Sequence, residues 1–144
     1  MTLDEFVKKY NGQKVDFDKR YGYQCVDLFR QYCEDVLKIP QPFGVIGARE
    51  FYTNYEDKPI EVKFFERIPY GGNIPASGDV VIFDRTKTNP YGHIAIVIAA
   101  DRVCMKILEQ NGFTQAGTKI AYRSYDNVLG FLRKRSNLGF LRKR

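Results

Sequence analysis

The hydrophobic periodicity of this 144-residue chain changes halfway along, and that change limits the folds open to it. In the first half, apolar residues recur at intervals of three and four, the spacing that lines one face of a helix. Leu3, Phe6, Val7 and Tyr10 form one such stripe, begun by the capping-box pattern Thr2-Leu3-Asp4-Glu5 and ended by Asn11-Gly12. Val26, Phe29, Cys33, Val36 and Leu37 form a second stripe over residues 24–37, closed by Pro40 and Pro42. Residues 43–54 have room for a short helix, and 61–65 carry a faint strand pattern. In the second half, residues 79–83, 92–100 and 103–109 are compact or β-branched-rich runs, the last two separated by the turn candidate Asp101-Arg102. Residues 119–123 and 129–133 are weaker strand candidates. Helices followed by consecutive strands indicate an α+β fold with an antiparallel sheet, because a βαβ alternation is missing. No linker divides the chain, so one domain is expected.

The net charge of +6 suggests a nucleic-acid binder until it is located. Arg133, Lys134, Arg135, Arg142, Lys143 and Arg144 account for the whole excess, which leaves the rest formally neutral. Residues 1–135 therefore form the expected domain and 136–144 a basic tail. That tail repeats the body, since the LGFLRKR of residues 129–135 recurs at 138–144. A copy this short is no solenoid unit; it is either an artefact of the sequence or a basic extension that adheres to a polyanion. The longest apolar run, residues 94–100, is far short of the ~20 residues a bilayer span needs. The acidic N-terminus lacks the apolar stretch of a secretory signal.

Cys25, Cys33 and Cys104 make an odd count without a CxxC spacing, which argues against both a zinc site and a disulfide framework. Cys33, on a helical apolar face, and Cys104, in a strand, are expected in the core. Cys25 differs, because Tyr21-Gly22-Tyr23-Gln24-Cys25 is a loop entering a helix. A thiolate in the first helical turn is stabilised by unpaired N–H groups and the helix dipole. The chain holds one histidine to take its proton, His93. If Val103 pairs with Ala99 across the turn, Glu109 falls opposite His93 on one sheet face, and Asn111 keeps the same parity. A bulge would slip that register by one residue. The result is a nucleophile, a base and an orienting carboxylate or amide. Each residue alone also has an ordinary structural reading, as core thiol, structural imidazole or turn residue.

The segments Asp16-Phe17-Asp18-Lys19-Arg20-Tyr21-Gly22-Tyr23-Gln24-Cys25-Val26-Asp27-Leu28, Gly78-Asp79-Val80-Val81, Tyr91-Gly92-His93-Ile94-Ala95-Ile96-Val97 and Leu108-Glu109-Gln110-Asn111 closely resemble, in order, the CHAP family. These are the cysteine, histidine-dependent amidohydrolases/peptidases of phage endolysins and bacterial cell-wall hydrolases. The resemblance covers roughly residues 3–133. It implies a papain-like fold, with N-terminal helices packed on the antiparallel sheet. It also implies Cys25 as nucleophile, His93 as general base, and Glu109 and Asn111 as its acidic and amide partners. The implied reaction is amide hydrolysis through an acyl-enzyme, with the Cys25 N–H and Gln24 as candidate oxyanion donors; Tyr21 and Tyr23, beside the nucleophile in sequence, are the candidate substrate contacts. The implied partner is bacterial peptidoglycan, met by a monomer made without a signal peptide and acting on the wall after release or from a virion. No specific nucleic acid is expected.

Asp16, Asp18 and Asp27 bring hard oxygen ligands to the nucleophile loop, and such ligands suit Ca²⁺. In similar phage domains, positions matching Arg20 and Gly22 add backbone carbonyls. The alternative is that Asp16 and Asp18 are solvated turn residues and Asp27 pairs with an arginine. Two other functions remain open: a non-catalytic wall or nucleic-acid binding module using the basic tail, and an amidase acting on a small thiol–polyamine conjugate.

Overall fold

The computed structural model describes residues 1–19, 24–111 and 116–136. The expectations for Arg20, Tyr21, Gly22, Tyr23 and the tail from residue 137 onward fall outside the described residues. Helix α1 spans Leu3–Tyr10. Its capping box forms as its sequence predicts, with Thr2 Oγ1 accepting the Glu5 N–H at 3.2 Å and Glu5 Oε1 accepting the Thr2 N–H at 2.8 Å. Helix α2 spans Cys25–Tyr32 and widens into a π-turn over Cys33–Leu37. Lys38, in the left-handed region at φ 55°, ends it where the apolar stripe ends. Helix α3 covers Glu50–Thr53, and a 3₁₀ turn over Tyr55–Asp57 leads to α4 at Pro59–Phe64.

Helix α4 corrects the strand expectation for residues 61–65, of which only Phe65 is extended. Pro59 accounts for this: at the first helical position its fixed φ is already helical and its missing N–H costs nothing.

Six strands follow: β1 Phe65–Pro69, β2 Val80–Phe83, β3 His93–Ala100, β4 Met105–Gln110, β5 Thr118–Arg123 and β6 Val128–Lys134. They form one sheet in the order β1-β6-β2-β3-β4-β5, with every pairing antiparallel. The fold is α+β and papain-like, as expected. Leu28, Phe29, Tyr32 and Cys33 of the α2 region pack with Val80, Ile82, Ile94, Ile96, Leu108 and Leu132 of the sheet. Phe29 sets its ring 5.0 Å from Phe51 and 6.1 Å from Phe65. Burying each such side chain contributes about 1.5–3 kcal/mol, which fixes α2 against β3 and so fixes where Cys25 sits. The alternate residues Val81, Phe83, Ala95, Val97, Met105, Ile107 and Phe131 form a second apolar cluster on the other face.

The β3–β4 register departs from the expected Val103–Ala99 pairing. Asp101 Oδ1 accepts the N–H groups of Val103 (2.8 Å) and Cys104 (3.0 Å), so a side-chain-capped turn occupies 101–104 and β4 starts at Met105. Val103 is therefore exposed, and Cys104 is a half-buried turn residue instead of a strand residue. The ladder pairs Ala99 with Lys106, passes a bulge between Val97 and Ala99, and then pairs Ile96 with Leu108. Beyond the bulge the displacement from the expected register is two residues. An even slip preserves which face each side chain occupies.

Candidate active site

Cys25 is the first residue of α2, half-buried, directly after the N-cap Gln24. Asp27, two residues on, accepts the Gln24 N–H through Oδ2 at 3.0 Å and so caps the helix from inside its first turn. His93 opens β3 behind Gly92, whose φ is 76°. A Cβ at Gly92 would lie 2.6 Å from the Phe83 carbonyl oxygen and 2.7 Å from Arg49 Cβ, so only glycine admits this approach. His93 is 8% exposed, and its ring centroid lies 5.7 Å from that of Phe83.

His93 Nε2 lies 3.0 Å from Oε1 of Glu109, which is wholly buried. The other ring nitrogen, Nδ1, is buried and makes no hydrogen bond of ordinary geometry. The Cys25 side chain nevertheless interacts with the ring. Burial disfavours the imidazolium, yet the contacts to Cys25 and Glu109 outweigh it and push the His93 pKa up to about 9. Burial likewise opposes ionisation of Glu109, but hydrogen bonds from His93 and Arg123 hold its carboxyl at about 2. The structure thus brings Cys25, His93 and Glu109 together. Asn111 leaves β4 at φ 54°, with its Oδ1 accepting the Gly117 N–H at 3.2 Å.

Two residues outside the expected set take part. Arg123 on β5 grips Glu109 with Nε on Oε1 at 2.7 Å and Nη2 on Oε2. Gln110 is buried and fully bonded: it donates to the carbonyls of Val15 and Gln24, each at 2.7 Å, and accepts from the Val15 N–H and the Thr118 hydroxyl. This single amide ties the loop before the nucleophile, the α2 N-cap and β5 together. Gln110 stood inside the quoted Glu-Gln-Asn segment, and a lone amide at a strand end was its only signal. Arg123 had none, because the β5 register decides its reach.

Asp16, Asp18 and Asp27 offer carboxylate oxygens that all lie within 4.8 Å of one another. Burial, with the charges of Asp18 and Asp16, raises the Asp27 pKa to about 6 against the lowering bond from the Gln24 backbone. Asp16 Oδ1 is buried without a hydrogen-bond partner. Among the described residues no arginine forms an ion pair with Asp27. A cleft of about 480 Å³ lined by Tyr70, Asn73, Arg102 and Tyr125 lies by the β3–β4 turn, at the far end of β3 from His93. No helix among the described residues is long and apolar enough to cross a membrane.

Comparison with known proteins places the chain in a family. The CHAP domain model matches residues 14–111, and the chain belongs to that family. It is 32% identical over 116 residues to Endolysin PlyTW of Staphylococcus phage Twort, which is 75% of this chain and 23% of that protein. It is 28% identical over 97 residues to the D-alanyl-L-alanine endopeptidase of Streptococcus phage B30, 66% of this chain and 21% of that one. A 25% identity over 119 residues links it to the glutathionylspermidine synthase of Crithidia fasciculata, of which it spans 16%. The chain thus spans less than a quarter of each of these relatives. Its fold is similar to that of the wild-type endolysin LysIME-EF1, with a TM-score of 0.75 at 23% identity over 97% of this chain and 67% of that one.

Proposed function

We propose that this domain hydrolyses an amide bond of bacterial peptidoglycan with Cys25 as nucleophile. The observation that carries this reading is the interaction of a helix-initial thiol with the only imidazole in the chain, whose far nitrogen meets a buried carboxylate. Family membership and the two phage relatives support it. His93 takes the Cys25 proton, and the sulfur adds to the amide carbonyl. The Cys25 N–H, with Gln24, receives the oxyanion. The C–N bond breaks as His93 returns the proton to the leaving amine, and water then releases the acyl group from the thioester. Glu109 orients the imidazole. Asn111 holds the start of the β4–β5 connection by accepting the Gly117 N–H, and Tyr21 and Tyr23 are the residues assigned to substrate recognition.

The acidic trio fits a hard cation, because three carboxylates this close, one with an orphaned buried oxygen, need a counter-charge. Asp16, Asp18 and Asp27 would hold Ca²⁺, joined by the carbonyls of Arg20 and Gly22. When bound, the ion neutralises these carboxylates and stiffens the loop that aims Cys25. The domain works as a monomer at the cell wall, reached after release from the cell or from a virion.

The bond is either the N-acetylmuramoyl-L-alanine amide or a peptide bond of the stem or cross-bridge, and mass spectrometry of the released fragments distinguishes them. Purified walls treated with wild-type protein should clear, and those treated with Cys25→Ala should not. Equal clearing by both would refute the assignment. The similarity to the synthase favours a second reading, cleavage of a small polyamine amide, which requires turnover of that amide and intact walls in the same assay.

A further inference from the structure

We propose that Arg123 is a positioning residue of this reaction, clamping Glu109 so that its Oε1 faces His93 Nε2 and Nδ1 is left to face Cys25. The inference rests on the hydrolase reading above and extends it to a residue on the outermost strand beyond β4. The geometry is a two-point grip: Arg123 Nε bonds Oε1 at 2.7 Å and Nη2 bonds Oε2. Glu109 is fully buried, and the Arg123 side chain is only 13% exposed. Two parallel bonds fix the carboxylate plane, which one bond cannot do.

The ladder shows how an arginine reaches this position. β5 pairs Arg123 with Met105 and Lys119 with Glu109, and the row between them on that face is Ile107–Ala121. The short Ala121 side chain leaves room for the longer arginine to run along the face to the carboxylate.

The chemical consequence follows from donor and acceptor types. A carboxylate held ionised by a guanidinium can only accept, so Nε2 of His93 must carry the hydrogen. Nδ1 is then the basic nitrogen of the neutral ring, and it is the one without another hydrogen bond. Without Arg123, the buried carboxylate would be stable as an anion only while His93 is charged, and His93 must lose and regain a proton in each cycle. Glu109 and Arg123 together carry no net charge, so their effect on the ring is directional. Among the described residues, the charged or titratable groups that act on His93 are Cys25 from α2, Glu109 from β4 and, through Glu109, Arg123 from β5. β2 presents the uncharged Phe83, with the Arg49–Asp84 ion pair past its end.

The lone histidine makes the test direct, since an NMR titration of the imidazole reads one residue in the intact chain. Arg123→Gln should lower kcat about 10²-fold, the effect of a misplaced catalytic group, with KM held within about threefold. It should also move the His93 midpoint upward, because a nearby cation has gone. Arg123→Lys keeps the charge but loses the fork, so its midpoint should stay near wild type while kcat still falls about tenfold. A merely structural arginine would lower melting temperature in both variants and leave the midpoint alone. Wild-type kcat or an unmoved midpoint in Arg123→Gln overturns the proposal. Should that variant not fold, wild-type kcat in Arg123→Lys overturns it. An active Cys25→Ala protein would instead sink the hydrolase reading, while the titrations would still judge the clamp on Glu109 and His93.

Discussion

His93 and Glu109 meet at 3.0 Å through Nε2 and Oε1, although the ladder joining their strands does not make them partners. The strands pair Ile96 with Leu108, so Glu109 stands level with the row of Ala95 and reaches His93 along the sheet face. A small residue in that row keeps the path open. The contact thus depends on parity, which the even register slip preserves, and on the length of the glutamate side chain.

Removing the thiol should change the imidazole as well as the rate. Cys25 contributes the first of the interactions that raise His93 to about 9, against burial, which lowers it. Cys25→Ala should therefore bring the His93 titration midpoint down while abolishing turnover by at least about 10³-fold. An NMR titration of the single histidine together with a wall-clearing assay checks both. A midpoint that stays near 9 would show that Glu109 alone sustains it.

Calcium and protons should compete at the acidic trio. Asp27 has its pKa raised to about 6, so it must lose a proton before it can serve as a ligand. Calcium should raise the melting temperature at pH 7.5 and do so much less at pH 5, and chelation should reverse the gain. The stabilisation at one hundred times the dissociation constant is about 2.7 kcal/mol. Thermal melts with and without calcium at the two pH values read this, and Asp27→Asn should flatten the response. Equal melting curves in chelator and calcium at pH 7.5 would remove the cation from the account.

Glu61 on α4 should be a destabilising residue at high pH. It is 1% exposed, and neither of its carboxyl oxygens has a hydrogen-bond partner. Burial raises its pKa, and the charges of Lys58 and Arg30 offset this only in part. A folded-state pKa above the unfolded value means stability is intact below the ordinary carboxyl range and declines as pH rises through the raised value. Glu61→Met should gain about 1–3 kcal/mol at pH 8 and less at pH 4, measured by denaturant unfolding. A larger gain at the lower pH would contradict this.

Gln110→Met should cost about 2–4 kcal/mol despite its similar volume, because it orphans buried groups of Val15, Gln24 and Thr118. The same variant should alter the rate at which iodoacetamide alkylates Cys25, since the α2 N-cap loses its tether to the sheet. Chemical unfolding and alkylation kinetics measure the two effects separately. Wild-type alkylation in a destabilised variant would confine Gln110 to a structural role.

The amino-acid sequence by itself determined most of the elements and singled out the groups proposed to react. The capping box of α1, the apolar stripe of α2 with a cysteine at its start, and the β-branched run of β3 behind the chain's one histidine are all local patterns. They are legible because helix and strand periods and capping chemistry act over a few residues. Tertiary structure decided what depends on register and on contacts distant in the chain. It set the β3–β4 register with its bulge, and placed Arg123 on Glu109 and Gln110 on Gln24. Those outcomes are set by the pairing of whole strands and by the demand that buried polar groups find partners, and no window of neighbouring residues contains either.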